Sequence, residues 1–281
     1  MTKPTAAELG RIAARGEHPD WIGPLARAGL VAKGVSFGIV GVLAVKVAVG
    51  AGGDTTSRQG ALATLAQSGL GKVLLALLAF GFAGYAIWRL AEAFVAGSLD
   101  DSQLEDWAKR LGSLGRAVVY GGLTFSAVHI LLGSGGSQSQ SGKAHQTTAQ
   151  VLSWPGGPWL VGCAGLAIAG AGLWNGYRGI SRSFCDRWRT GEMSPAEQRW
   201  GERAGLAGHL ARGAVYLLIG VFVVKAAVQY DPKEAVGLDG ALARLAQQPF
   251  GPWLLGATAA GLVAYGVYCL VDARYRRVQP R

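Results

Sequence analysis

The sequence predicts an all-α polytopic membrane protein of six transmembrane helices, built as three tandem two-helix repeats with approximate threefold symmetry. Three observations predict it. First, uncharged stretches are long: 24 residues from Trp154 to Tyr177, 20 from Pro252 to Val271 and 16 from Val73 to Trp88. About 20 apolar residues rising ~1.5 Å each cross a hydrocarbon core ~30 Å thick. Second, half of the 281 residues are hydrophobic and only 16% are charged, too little polar sequence to coat a soluble core made of such segments. Third, one helix pair recurs three times along the chain.

The first span, near 28–50, holds KGVSFGIVGVLAVK, twelve uncharged residues fenced by Lys33 and Lys46. The third, near 113–133, repeats the fence as Arg116 and His129, and the fifth, near 205–229, as Arg212 and Lys225. Glycine precedes the first fence residue by four positions each time (Gly29, Gly112, Gly208), and an aromatic follows it by four (Phe37, Tyr120, Tyr216). The second, fourth and sixth spans fall near 71–95, 157–177 and 251–274. Their lead-ins match: GALATLAQSGLGK (60–72) parallels GALARLAQQPFGP (240–252), and SWPGGPW (153–159) parallels QQPFGPW (247–253). Farther on, Tyr85, Trp88 and Glu92 match Tyr265, Tyr268 and Asp272, while the middle copy has Trp174, Asn175 and Arg178 and no carboxylate.

The chain therefore divides into an N-terminal segment (1–20), repeats at 21–97, 98–184 and 200–277, a linker at 185–199 and a tail at 278–281. The low-complexity stretch 133–150 is expected to be a mobile loop. The charged linkers 96–112 and 178–204 read as short surface helices, as does Ala6–Arg15, and SPAE at 194–197 is a capping box.

Basic residues set the orientation. Twenty lie on the side of the termini and seven on the other, which places both termini in the cytoplasm. Residues 1–20 lack an apolar block, so the first span is expected to act as an uncleaved insertion signal. The net charge of +10 sits beside apolar spans. Its expected partners are therefore membrane lipids, with anionic headgroups at the cytoplasmic face, and not nucleic acid. Trp21, Trp88, Trp107, Trp174 and Trp200 fit an inner interfacial belt, and Trp159 and Trp253 an outer one.

The fence cations stand thirteen residues apart, ~20 Å along a helix in a core ~30 Å thick. Their stems can reach the headgroups, so they read as snorkelling anchors. The outer trio Lys46, His129 and Lys225 also admits a sharper reading, a cationic ring that holds an anionic solute or a lipid headgroup. Gly34, Gly38 and Gly41, with Gly121 and with Gly213 and Gly220, form smooth faces suited to close helix packing. Arg89, Glu92 and Asp272 read as charges at the cytoplasmic edge, with Arg89 and Glu92 in pairing reach. His209 reads as an interfacial side chain.

Cys163, Cys185 and Cys269 show no paired spacing, so neither a disulfide nor a metal site is inferred. No phosphate-binding, zinc-hydrolase or triad motif is present, so no catalytic residue, cofactor or enzyme activity is expected.

The segments VAKGVSFGIVGVLAVKVAVG (31–50), ARGAVYLLIGV (211–221), GALARLAQQPFG (240–251) and YAIWRLAEA (85–93) carry a family likeness. The chain resembles bacterial six-helix membrane proteins catalogued as domain of unknown function 1206, over about residues 21–277. The resemblance implies three two-helix units in a bacterial plasma membrane and supplies no activity. Two functions are expected from these residues. One is a structural or accessory protein of a membrane complex, with a membrane-protein partner or a second copy. The other is a transporter or channel for a small anionic solute that uses the outer cations.

Overall fold

The computed structural model describes residues 22–51, 58–67, 69–95, 103–133 and 139–277. Among them, six helices are long and apolar enough to cross a membrane. These are α1 (Ile22–Ala48), α3 (Gly69–Val95), α4 (Gln103–Leu131), α6 (Gly157–Ile180), α7 (Pro195–Gln229) and α9 (Gly251–Tyr275). Three short helices precede the even-numbered spans: α2 (Arg58–Leu65), α5 (Gln140–Leu152) and α8 (Leu238–Ala246). We call the end at which α1 starts and α9 finishes basal, and the opposite end distal.

The spans stand as an opened ring in the order α6, α7, α9, α1, α3, α4. Threefold order is visible in its seams. The second span of each repeat packs on the first span of the next: α3 on α4, α6 on α7, and α9 back on α1. Glycine brings two of these seams to backbone contact. A Cβ on Gly34 would lie 2.8 Å from the Gly266 carbonyl, and one on Gly41 2.8 Å from that of Ala259. The matching positions Gly213 and Gly220 meet the carbonyls of Gly172 and Gly165 at 2.9 and 2.7 Å. Between helices in lipid, such close approach supplies the dispersion contact that holds them together. The seam between α3 and α4 has Ala117 and Thr124 at those places, with Thr124 Oγ1 donating to the Tyr120 carbonyl at 2.9 Å.

The second class of seam lies within a repeat and exists twice. A Cβ on Gly29 would stand 2.8 Å from Tyr85 Cα, and one on Gly208 2.7 Å from Tyr265 Cβ. Tyrosine on glycine thus closes α1 with α3 and α7 with α9. The middle repeat has no such closure, and α4 and α6 do not pack along each other. Among the described residues, a Cβ on Gly112 would meet only the Nη2 of Arg116, at 3.0 Å. In register with the glycine contacts above, Ala171 stands where Tyr265 stands, and it is exposed. The apolar windows of α4 and α6 are each 22% buried, against 28% for α7, 44% for α9 and 50% for α1 and α3.

Three expectations are corrected by the fold. The linkers do not end in separate α-helices, because α4 and α7 run unbroken from Gln103 and Pro195 into their spans; between α6 and α7 stand two short 3-10 helices, Cys185–Arg187 and Thr190–Glu192. The Ser194–Glu197 capping box starts α7, and nothing in the sequence stops it before the membrane. Glycines 201, 205 and 208 do not break this helix; they make room for Trp188, Phe184 and Tyr265. Second, residues 140–150 of the expected mobile loop belong to α5, capped by Ser139 Oγ at Gly142 N. Its first turn is fixed to α8: Ser141 donates from N and Oγ to Asp239 and accepts from the N–H of Gly237 and Gly240. Polar composition signalled a loop, but here the polar groups satisfy the amides at another helix's start. Third, Trp88 is buried at 4% exposure and does not sit in a surface belt; Trp159, Trp174, Trp200 and Trp253 are exposed. The Ala6–Arg15 helix and Trp21 lie outside the described residues.

Candidate functional site

The outer trio stands on three helices that do not pack along one another. Lys46 is exposed in the last turn of α1. His129 is exposed on α4, its ring 4.4 Å from that of Phe125. Lys225, on α7, pairs with Glu234 at 3.0 Å, and Glu234 also meets Arg244 at 3.2 Å. The hydrogen bond from Lys225, helped by the charges of Lys225 and Arg244, holds the Glu234 carboxyl below the usual carboxylate range. No contact joins the three cations to one another; the partner of Lys225 is a carboxylate of its own chain.

The inner fence residues diverge. Arg116 is exposed, with its Nε donating to the Gly112 carbonyl at 2.7 Å. Lys33 and Arg212 turn inward, which corrects their reading as snorkelling anchors. The reason is packing: α1 and α7 are flanked on both sides, so the same helical position faces buried aromatic rings.

Tyr265 lies at the centre of that interior. Lys33 Nζ stands 5.1 Å from its ring centroid and 5.9 Å from that of Tyr85. Arg212 Cζ lies 4.6 Å from the Tyr265 ring, 4.9 Å from that of Tyr216 and 5.5 Å from that of Phe37. Its Nη1 donates to Tyr265 OH and its Nη2 to Tyr216 OH, the latter at 3.0 Å. Tyr120 joins from α4, its ring 4.4 Å from Tyr85. Cation-on-ring contacts of this kind are worth ~2 kcal/mol or more where water is excluded.

A second layer lies toward the basal end. Arg89 is 3% exposed, not at an edge, and its Nη2 donates to Tyr85 OH at 2.9 Å. Its guanidinium lies 4.2 Å from the Trp88 ring. The side chain of Glu92, its expected partner, lies outside the described residues. Asp272 is buried and accepts from Arg276 Nη1 at 2.9 Å and Trp188 Nε1 at 3.1 Å. His209 is buried too, not interfacial: its ring stacks on Phe184 at 4.9 Å, and its Nδ1 donates to the Gly205 carbonyl at 2.8 Å. The linker supplies Phe184 and Trp188, so a loop closes this layer.

Of the packing glycines, Gly34, Gly41, Gly213 and Gly220 stand at seams, whereas a Cβ on Gly38 or Gly121 would meet nothing within 4 Å. Gly38 still contributes its backbone, against which a Cβ on Gly266 would lie 3.2 Å from the nitrogen.

Sequence reasoning passed over Tyr85, Tyr216, Tyr265 and Arg212 as a group. A signal was present: Arg212 and Tyr216 are four residues apart and share a helix face. Above Arg212 toward the distal end is a cavity of about 40 Å³, lined by Phe37, Gln140, Val215, Tyr216 and Leu262, among others. Among the described residues, no three His, Cys, Asp or Glu side chains come together to hold a metal.

A family model described as Domain of Unknown Function (DUF1206) matches the chain three times, at residues 28–96, 111–182 and 207–276. The chain is also 33% identical over 263 residues to Uncharacterized protein YxxB of Bacillus subtilis (strain 168), covering 93% of this chain and 94% of that protein. No solved structure matches it. The three matches fall on the three helix pairs of the opened ring, and the chain belongs to the DUF1206 family.

Proposed function

We propose that this is an accessory protein of the bacterial inner membrane, with both termini cytoplasmic, that receives a transmembrane partner on the flank between α4 and α6. One observation carries the reading: the middle repeat is parted where the other two are shut. Both helices leave small residues bare. A Cβ on Gly115 or Gly122 of α4, or on Gly170 of α6, would meet nothing within 4 Å. Large apolar side chains are exposed beside them, Val118 and Phe125 on α4 and Leu166 and Leu173 on α6. Small residues beside large ones are what a crossing helix needs for close approach in lipid. The twenty-to-seven bias of basic residues supports cytoplasmic termini and contact with anionic headgroups.

The test uses photo-crosslinking residues at Val118 and Leu173 in native membranes, with Leu77 on α3 as an exposed control. The expected result is a discrete protein adduct from the first two positions and none from the control. Identical adducts from all three, or adducts to lipid alone, would overturn the reading.

A second reading, binding of a small anion, is favoured by a different observation, the cavity at Arg212. It does not depend on the flank, and it moves the anion away from Lys46, His129 and Lys225.

A further inference from the structure

We propose that Arg212 and the cavity above it form a binding site for a small monovalent anion of the halide class, buried within the bundle. The argument begins with charge. Arg212 and Lys33 both face Tyr265, and no carboxylate of the described residues lies within ion-pair distance of either. A buried cation without a counter-charge is costly in a low-dielectric setting. Tyrosine hydroxyls and ring faces reduce that cost and carry no negative charge. By contrast, the buried guanidinium of Arg276 has a carboxylate partner, Asp272, at 2.9 Å.

The guanidinium also has donor capacity left. Nη1 and Nη2 are engaged by Tyr265 and Tyr216, but the buried Nε has no hydrogen-bond partner. An unmet buried donor on a charged group is unfavourable, and an anion beside it would meet both needs.

The cavity fixes the class of ligand. Arg212 lines it, and Phe37, Val215 and Leu262 give it apolar walls. At its distal end Gln140 accepts from Leu238 N–H through Oε1 at 3.2 Å, which leaves the amide nitrogen as the end able to donate. A volume of about 40 Å³ suits a single small ion better than a lipid headgroup or an organic phosphate. Apolar walls favour a weakly hydrated monovalent ion over a dianion, whose desolvation costs far more. The site draws on α1, α5, α7, α8 and α9.

The experiment is thermal unfolding of the full chain in lipid nanodiscs, titrated with bromide or chloride against gluconate at constant ionic strength. The midpoint should rise and saturate with halide and stay flat with gluconate, a larger and strongly hydrated anion. R212K keeps a charge but loses the planar fork, and should weaken the halide response roughly tenfold or more. R212M removes the cation together with its ring contacts and hydrogen bonds, and should not respond to halide. K46Q, at an exposed lysine, should respond as the parent does. A second measurement, anomalous scattering from bromide-grown crystals, should place a peak beside Arg212. Equal midpoints in halide and gluconate, an unchanged halide response in R212K, or bromide found only elsewhere would each overturn the proposal. If R212M does not fold, R212K and the bromide peak decide.

Discussion

In the first and third repeats a tyrosine, Tyr85 or Tyr265, is seated on a glycine of the facing span, Gly29 or Gly208. In the middle repeat Gly112 is present but has no tyrosine to receive, and exposed Ala171 stands in its place. The same chain thus contains two closed copies and one open copy of a single unit. The difference teaches that the helix pair is not held by its apolar character, which all three copies share. It is held by one large side chain fitted onto one residue without a Cβ. Where that fit is missing, each span packs along one other span, in the adjacent repeat, and the ring opens. The same fit fixes the interior: both seated tyrosines point their rings at Lys33.

Four measurements can break or sharpen this comparison. The largest effect is expected at Asp272, which the middle repeat replaces with Arg178. Asp272→Asn leaves the buried Arg276 without its partner, and should cost ~3–5 kcal/mol in unfolding experiments. Arg178→Ala should stay within ~0.5 kcal/mol.

Next come the glycines. Gly208→Ala and Gly34→Ala push a methyl into backbone, at 2.7 Å from Tyr265 N and 2.8 Å from the Gly266 carbonyl, and each should cost ~1–3 kcal/mol. Gly112→Ala and Gly121→Ala meet no such obstacle and should be neutral or raise stability by up to ~1 kcal/mol through helix propensity. Equal losses at all four positions would refute the distinction between closed and open repeats.

Ser194→Ala removes the side-chain cap of α7 and should cost ~1 kcal/mol. Hydrogen exchange confined to the first turns of α7 would report it.

The smallest effect concerns the third repeat's distal cap. The carboxyl of Glu234 is held below its ordinary range by the hydrogen bond from Lys225 and by the two cations. A depressed folded-state value means that the contribution is present above the unfolded value, ~4.3, and lost as pH falls through the folded one. Exchange at residues 232–246 should therefore rise on acidification below that range, and Glu234→Gln should make it insensitive to pH there.

Much of this architecture was legible in the chain. Six spans, their threefold recurrence and the α7 cap follow from hydrophobic length, internal repetition and a four-residue motif, all local properties. The seam glycines Gly34 and Gly213 were visible as small residues at helical spacing, yet Gly121 has the same spacing and meets nothing. The pattern fixes a face of a helix, and only the neighbour decides whether that face is used.

The interior site was the least legible part. Lys33, Arg116 and Arg212 occupy one repeat position and look alike in sequence, but Arg116 is exposed while the other two turn toward tyrosines from distant spans. Bilayer length and charge bias are read along one helix, so the amino-acid order alone determined how many times the chain crosses and which residues repeat. Which cation faces lipid and which faces Tyr265 depends on how many neighbours its helix has. That number was set by contacts between segments far apart in the chain, which only the tertiary structure decided.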